Sequence, residues 1–169
     1  MSISLYEASV GRFLQTLGAV SGYLDKSRSY CKENNIDPNE IVETRLYTDM
    51  LPFRFQLIQV ASLSLGAING ARTGEYSPGP PAEDLDYQAL QDLVAEARSG
   101  LRQLTAEEVN GLAGKEVLTP WWTFTAEGFL MSFSIPNFYF HATTAYDILR
   151  TKGVPLGKLD FLGQLDIKA

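Results

Sequence analysis

The stretch IPNFYFHATTAYDILR, residues 135–150, decides the fold. Apolar and polar side chains recur in and just before it at steps of three and four residues, so that one helix face combines both kinds: Phe138, Ala145 and Ile148 beside Ser134, Asn137, His141 and Thr144. We therefore expect a fourth helix from about Ala126 to Lys152, ended by Gly153 and Pro155. Pro136 is expected to kink it, because proline removes one backbone hydrogen bond.

Three further amphipathic segments precede this helix. The spacing of Ser4 and Glu7 is that of a capping box, and it opens a first helix over residues 4–31. A second helix is expected over residues 52–73 and a third over residues 86–104, each with apolar residues at helical spacing. Four long amphipathic helices with short connections predict an all-α protein, an antiparallel four-helix bundle.

The connections between these helices carry weaker signals. A short helix is expected over residues 38–44, and the proline-rich segment 75–83 is expected to be irregular. A short helical turn opens at Thr105, and a small irregular hairpin is expected over residues 116–125, before the fourth helix. After that helix, Phe161 and Leu162 are expected to anchor the tail across the bundle.

Composition limits the function without naming it. The chain has 169 residues, 45% of them hydrophobic, which predicts one domain over residues 1–169. The net charge is −6 and the Lys and Arg residues are scattered, so we do not expect the protein to bind nucleic acid. The longest apolar stretch, residues 51–68, is too short and too polar for a membrane span. One cysteine and no signal-peptide pattern predict a cytoplasmic protein.

His141 is the only histidine, so any site that needs imidazole depends on it. The chain has no phosphate-binding glycine loop, no G-x-S-x-G elbow, no C-x-x-C pair and no H-E-x-x-H. A lone histidine on an inward face is more often a core residue than a base or ligand. Its neighbours favour a site: Asn137 lies one turn earlier, and Gln56 and Gln59 can approach from the second helix.

Several blocks of the sequence resemble one family. They are NFYFHATTAY at 137–146 with LRxxG at 149–153, GKxDFLG at 157–163, SLYE at 4–7, and DMxPxxxQ at 49–56. The chain is similar in these blocks to the DinB/YfiT-like superfamily, in the branch catalogued as domain-of-unknown-function family 1993. The resemblance spans nearly the whole chain and implies a four-helix bundle.

The same resemblance implies a divalent metal, held by one histidine of the second helix and an H-x-x-x-H pair of the fourth. In this sequence His141 falls on the second position of that pair and Asn137 on the first, while the second-helix ligand falls near Gln56 or Gln59. Amides are weak ligands for the ions that imidazole prefers. We therefore expect a degenerate site with no tightly bound metal or other cofactor.

The preferred interpretation is a central polar pocket for a small molecule, in which His141 acts as general base or hydrogen-bond anchor. Asn137 is the second catalytic candidate, and an isomerase, lyase or transferase reaction follows only by analogy with the superfamily. The substrate-binding candidates are Gln56, Gln59, Asp49, Ser134, Thr144, Trp121 and Trp122, although paired tryptophans more often cap a core. Two alternatives stay open: a non-catalytic bundle that self-associates, for example as a homodimer, and a weak metal site formed by His141 with Asp49.

Overall fold

The computed structural model describes residues 3–78 and 84–167. Four long helical units form the bundle, and short helices and a hairpin connect them. The helices are α1 Leu5–Ala8, α2 Val10–Glu33, α3 Asn39–Val42, α4 Phe53–Ala61, α5 Ala67–Thr73, α6 Tyr87–Arg102, α7 Ala106–Asn110, α8 Ala126–Gly128, α9 Ile135–Thr151 and α10 Lys158–Leu162. The strands are β1 Glu116–Leu118 and β2 Thr123–Thr125.

The four bundle helices are formed by α1 with α2, by α4 with α5, by α6, and by α8 with α9. Helix α2 packs against α6 and α9, and α4 packs against the same two helices. The first and second bundle helices are therefore diagonal across the bundle, and each contacts the third and the fourth. The core between them is apolar, with Phe13, Leu57, Leu90 and Phe138 fully buried. The prediction of an all-α four-helix bundle with a small hairpin is confirmed.

Two π-helical turns interrupt the regular α-helix, and the sequence pattern gave no sign of either. Ser62–Gly66 joins α4 to α5, and Phe129–Ser134 joins α8 to α9. The second turn lies directly before Pro136, which occupies the first turn of α9. A π turn holds one extra residue, and it accommodates the proline ring and the missing N–H. The helix continues through Pro136, the residue at which the sequence predicted a kink.

The hairpin lies beside the chain that leaves the second bundle helix. Strands β1 and β2 are antiparallel, with Val117 opposite Phe124. Gly74 ends α5 with a positive φ of 88°, a conformation that glycine adopts without strain. The next residues run along β1, since the Tyr76 N–H donates to the Leu118 carbonyl and the Leu118 N–H donates to the Gly74 carbonyl. The hairpin and residues 74–78 together form a roof over one part of the bundle.

The predicted boundaries differ from the observed ones mainly at the ends of the helices. The first helix was expected to be continuous, but a break at Ser9 separates α1 from α2. The short helix expected over 38–44 spans Asn39–Val42. Of the segment expected to be irregular, residues 75–78 have no helix, and residues 79–83 lie outside the described part of the chain.

Candidate functional site

A cavity of about 170 Å³ lies beneath the roof, between α4 and α9. Its polar lining residues are Gln59, Asn137 and His141. The remaining lining residues are apolar or aromatic: Phe55, Leu63, Tyr76, Pro78, Trp121 and Phe133. No charged side chain lines the cavity in the described part of the chain. The structure therefore places the face predicted from residues 134–150 against a second, aromatic surface.

A chain of two hydrogen bonds fixes the imidazole of His141. The Gln56 carboxamide donates from Nε2 to the Leu51 carbonyl oxygen at 2.8 Å, and its Oε1 lies 2.7 Å from His141 Nδ1. A carbonyl oxygen only accepts, so the amide nitrogen of Gln56 must face Leu51 and its oxygen must face the ring. Nδ1 of His141 therefore carries the proton. No described residue donates to Nε2, which keeps its lone pair.

The surroundings of the ring keep it neutral. His141 is half-buried, and the rings of Phe55 and Phe140 meet it edge-on at centroid distances of 5.8 and 5.2 Å. Burial disfavours the charged imidazolium and lowers the pKa of His141 from its usual 6.5 to about 4. At neutral pH the ring is therefore an uncharged acceptor at Nε2.

Two side-chain amides beside the ring keep unused hydrogen-bonding capacity. Asn137 donates from Nδ2 to the Phe133 carbonyl of its own helix at 2.7 Å, which leaves its Oδ1 free. The carboxamide of the buried Gln59 makes no hydrogen bond to any residue that the structure describes, and it faces the cavity. Asn137 makes no hydrogen bond to the imidazole. Gln56 orients the ring instead, because it faces His141 across the helix interface.

Of the other predicted binding residues, only Trp121 belongs to the cavity lining. Ser134 donates to the Leu63 carbonyl at 2.6 Å, and Thr144 donates to the Phe140 carbonyl at 2.8 Å, so both hydroxyls serve helix backbone. Asp49 is exposed in the loop before α4. Of the two tryptophans only Trp121 lines the cavity, while Trp122 packs against Phe124 and Phe133.

A family model described as domain of unknown function (DUF1993) matches residues 5–162. The chain belongs to this family. A crystal structure of a DinB family member protein from Shewanella denitrificans is similar to the DUF1993 protein, with a TM-score of 0.84 and 26% sequence identity. The similarity covers 98% of this chain and 95% of that chain. No curated protein matches the chain. The resemblance inferred from the sequence is confirmed.

The donor set of the DUF1993 protein does not fit the three-histidine metal site that the resemblance implied. No group of three or more His, Cys, Asp or Glu side chains that could hold a metal exists among the described residues. Gln56 already uses its oxygen for His141 and its nitrogen for Leu51. One imidazole nitrogen and neutral amide oxygens remain, and they are a poor ligand set for zinc-like ions.

Sequence reasoning missed most of the aromatic wall of the DUF1993 cavity. Phe55 lies four residues before Gln59, and Phe133 four before Asn137, so helical spacing places each on the same face as a predicted polar residue. That signal was available. Tyr76 and Pro78 gave no such signal, because they reach the cavity through the pairing of residues 74–76 with β1. In the described residues, no helix of the DUF1993 protein combines the length and hydrophobicity that a bilayer span requires.

Proposed function

We propose that this DUF1993 protein binds a small, uncharged organic molecule in the cavity beside His141. The observation that carries the proposal is the hydrogen-bond chain from Leu51 through Gln56 to His141, which leaves the Nε2 lone pair free. A ligand with a hydroxyl or N–H group would donate to that lone pair. No described residue uses this acceptor, so it is available to a ligand that enters the half-buried site.

The lining defines the rest of such a ligand. Phe55, Trp121 and Phe133 offer aromatic surface, and Gln59 and Asn137 offer amide groups at one side. A charged ligand would lose its hydration and gain no counter-charge, because the described lining contains no ionic side chain. A volume of about 170 Å³ suits a single ring or a group of similar size. An apolar body with one polar donor fits this lining.

Of the two roles predicted for His141, the hydrogen-bond anchor is favoured over the general base. A general base works best with a pKa near the working pH. Burial holds the pKa of His141 at about 4, so the ring has little affinity for a proton at neutral pH. The same ring is fully available as a neutral acceptor. An isomerase, lyase or transferase reaction would need a second proton-transfer group. Besides His141, the only titratable side chain of the described lining is Tyr76, whose pKa is raised by burial and whose hydroxyl is hydrogen-bonded to Ser62 at 2.9 Å.

The self-association alternative would be favoured by an exposed apolar strip on the first or third helix. Among the described residues, the exposed large apolar side chains are Ile3, Tyr47, Leu51, Leu118, Trp121, Trp122, Met131, Phe140, Leu159, Leu165 and Ile167. None of them belongs to α1, α2 or α6. This distribution favours the cavity, rather than a surface of the first or third bundle helix, as the functional feature.

The single histidine gives a direct test with two matched probes. Phenol has a ring and a hydroxyl donor, and toluene has the ring alone. We expect phenol to shift the ¹⁵N resonance of His141 Nε2 saturably at millimolar concentration, and toluene to leave it unshifted. Phenol binding can be measured by Trp fluorescence. We expect His141→Ala to abolish this binding and Thr143→Ala to retain it, because Thr143 is an exposed residue of α9. Equal shifts with both probes, or phenol binding that survives in His141→Ala, would contradict the proposal.

A further inference from the structure

We propose that a second cleft, lined by Arg12, Arg98 and Arg102, binds a phosphate group. The cleft measures about 510 Å³ and lies between α2, α6 and the segment after α10. This volume falls within the ~300–1,000 Å³ that is usual for small-molecule sites. Its lining shares no residue with the cavity beside His141, so the two sites are independent.

The three arginines come from two bundle helices. Arg98 and Arg102 are four residues apart on α6 and therefore share one helix face, and Arg12 lies on α2, which packs against α6. Residues 163–166 form the other wall, and Gln15 holds the start of that segment by donating to the Leu162 carbonyl at 3.0 Å. Guanidinium groups from both helices therefore line one side of the cleft, and residues 163–166 line the other side.

None of the three arginines forms a salt bridge with a residue that the structure describes. Arg12 donates from Nη1 to the neutral oxygen of Gln15 at 3.0 Å. The Nε of Arg98 is buried and has no hydrogen-bond partner among the described residues. A buried, unpartnered N–H of a cation is unusual in folded proteins. No described residue compensates the charge of this guanidinium through an ion pair, and an anion in the cleft would do so.

Gly18 lets the guanidinium of Arg98 lie against the backbone of α2. A Cβ at position 18 would come within 3.3 Å of Arg98 Nη2. The half-buried Arg98 side chain is therefore confined between two helices before any ligand binds. A side chain that is already ordered loses less entropy on binding than a free surface arginine.

The charge of the lining points to phosphate in particular. Three guanidinium groups and the carboxylate of Asp166 leave two net positive charges in the cleft, in a chain whose net charge is −6. A phosphate monoester carries about −1.5 to −2 charges at pH 7 and three acceptor oxygens. Guanidinium groups match such oxygens with paired N–H donors. A dianionic phosphate would therefore balance the two net positive charges of the lining.

The test uses the full chain, with glycerol 3-phosphate and inorganic phosphate as probes and glycerol as the uncharged control. We expect calorimetry at low ionic strength to show saturable, one-to-one binding of a phosphate probe and no binding of glycerol. Tighter binding of glycerol 3-phosphate would identify an ester as the source of the group, and equal binding would identify free phosphate. Added salt should weaken binding. No saturable binding of either probe would overturn the proposal.

Matched variants locate the binding. Arg98→Gln and Arg102→Gln should each weaken binding at least tenfold, and Asp166→Asn should strengthen it because it removes a like charge. Arg72→Gln, at an exposed position on α5, should leave it unchanged. If Arg98→Gln fails to fold by circular dichroism, the exposed Arg102 still provides the test. Equal weakening in Arg72→Gln, weaker binding in Asp166→Asn, or unchanged binding in Arg102→Gln would overturn the proposal.

Discussion

His141 shows how one hydrogen bond can decide the chemistry of a residue. A histidine on an inward helix face has two chemically distinct nitrogens, and the partner of one determines what the other can do. Here Gln56 accepts from Nδ1, which leaves Nε2 as the acceptor. The bond spans 85 residues of sequence, so it exists only because α4 and α9 pack against each other.

The first prediction concerns the protonation of that ring. The ¹⁵N spectrum of the single histidine should show the Nδ1–H tautomer at pH 7 and a midpoint of titration near pH 4, well below the usual 6.5. The folded pKa is lowered, so the unfolded chain binds the extra proton first as the pH falls. Stability should therefore decrease between about pH 6.5 and pH 4, by up to about 3 kcal/mol relative to His141→Gln.

Urea unfolding of both proteins across that range gives the measurement. Carboxyl groups also take up protons in the lower part of this pH range. The His141→Gln variant has the same carboxyl groups, so the difference between the two proteins reports on His141. A pH dependence identical in the two proteins, or a titration midpoint near 6.5, would show that burial does not hold the ring neutral.

The second prediction separates Gln56 from Asn137. The bonded pair should be coupled in a double-mutant cycle, so that His141→Ala and Gln56→Ala together deviate from additivity by about 0.5–3 kcal/mol. Asn137 hydrogen-bonds its own helix, so His141→Ala and Asn137→Ala should add within about 0.5 kcal/mol. Urea midpoints of the six proteins measure both cycles. Strong coupling to Asn137 would mean that these two side chains mainly serve each other.

At the scale of elements, α10 and the roof are small pieces that cover the bundle. Phe161 of α10 meets the ring of Tyr146 at a centroid distance of 5.9 Å, and Lys26 of α2 pairs with Asp160. Phe161 and Leu162 are half-buried, so the expected tail contact exists, although neither side chain reaches the deep core. Such contacts stabilise the bundle less than a core residue does.

The third prediction follows from that partial burial. Phe161→Ala should destabilise the protein by about 2 kcal/mol, roughly half of what a fully buried phenylalanine costs. Leu159 of the same helix is 73% exposed, so Leu159→Ala is the matched control and should change stability by less than about 0.5 kcal/mol. Deleting residues 158–169 should cost more than Phe161→Ala alone. Unchanged thermal unfolding of the deletion variant would show that α10 is not bound to α2.

At the scale of the whole molecule, the fold is that of the superfamily while the donor set is different. Four helices bring His141, Gln56 and Asn137 together at one interface, but only one of the three side chains is an imidazole. The fourth prediction is that protein purified without a histidine tag carries well under one equivalent of divalent metal, and that a chelator leaves its melting temperature unchanged. Stoichiometric zinc or nickel, with a clear loss of stability on its removal, would defeat the argument.

The sequence by itself determined the helices. Periodicity and capping act over three or four residues. The predicted capping box at Ser4 with Glu7 forms, and the helical turn predicted at Thr105 also forms, with a capping box to Glu108. It also identified His141 as the one residue on which an imidazole site depends. These features are local, so one segment of chain contains all the information that they need.

Only the tertiary structure decided which glutamine meets the histidine. Gln56 and Gln59 are three residues apart on one helix. The rotation of α4 about its axis, relative to α9, places Gln56 within hydrogen-bond distance of His141 and places Gln59 in the cavity lining. The position of Tyr76 in the cavity lining and the two π turns are likewise seen only in the tertiary structure. The reason is physical: a π turn rotates all later side chains by about 100°, and contacts between helices depend on that rotation rather than on spacing along the chain.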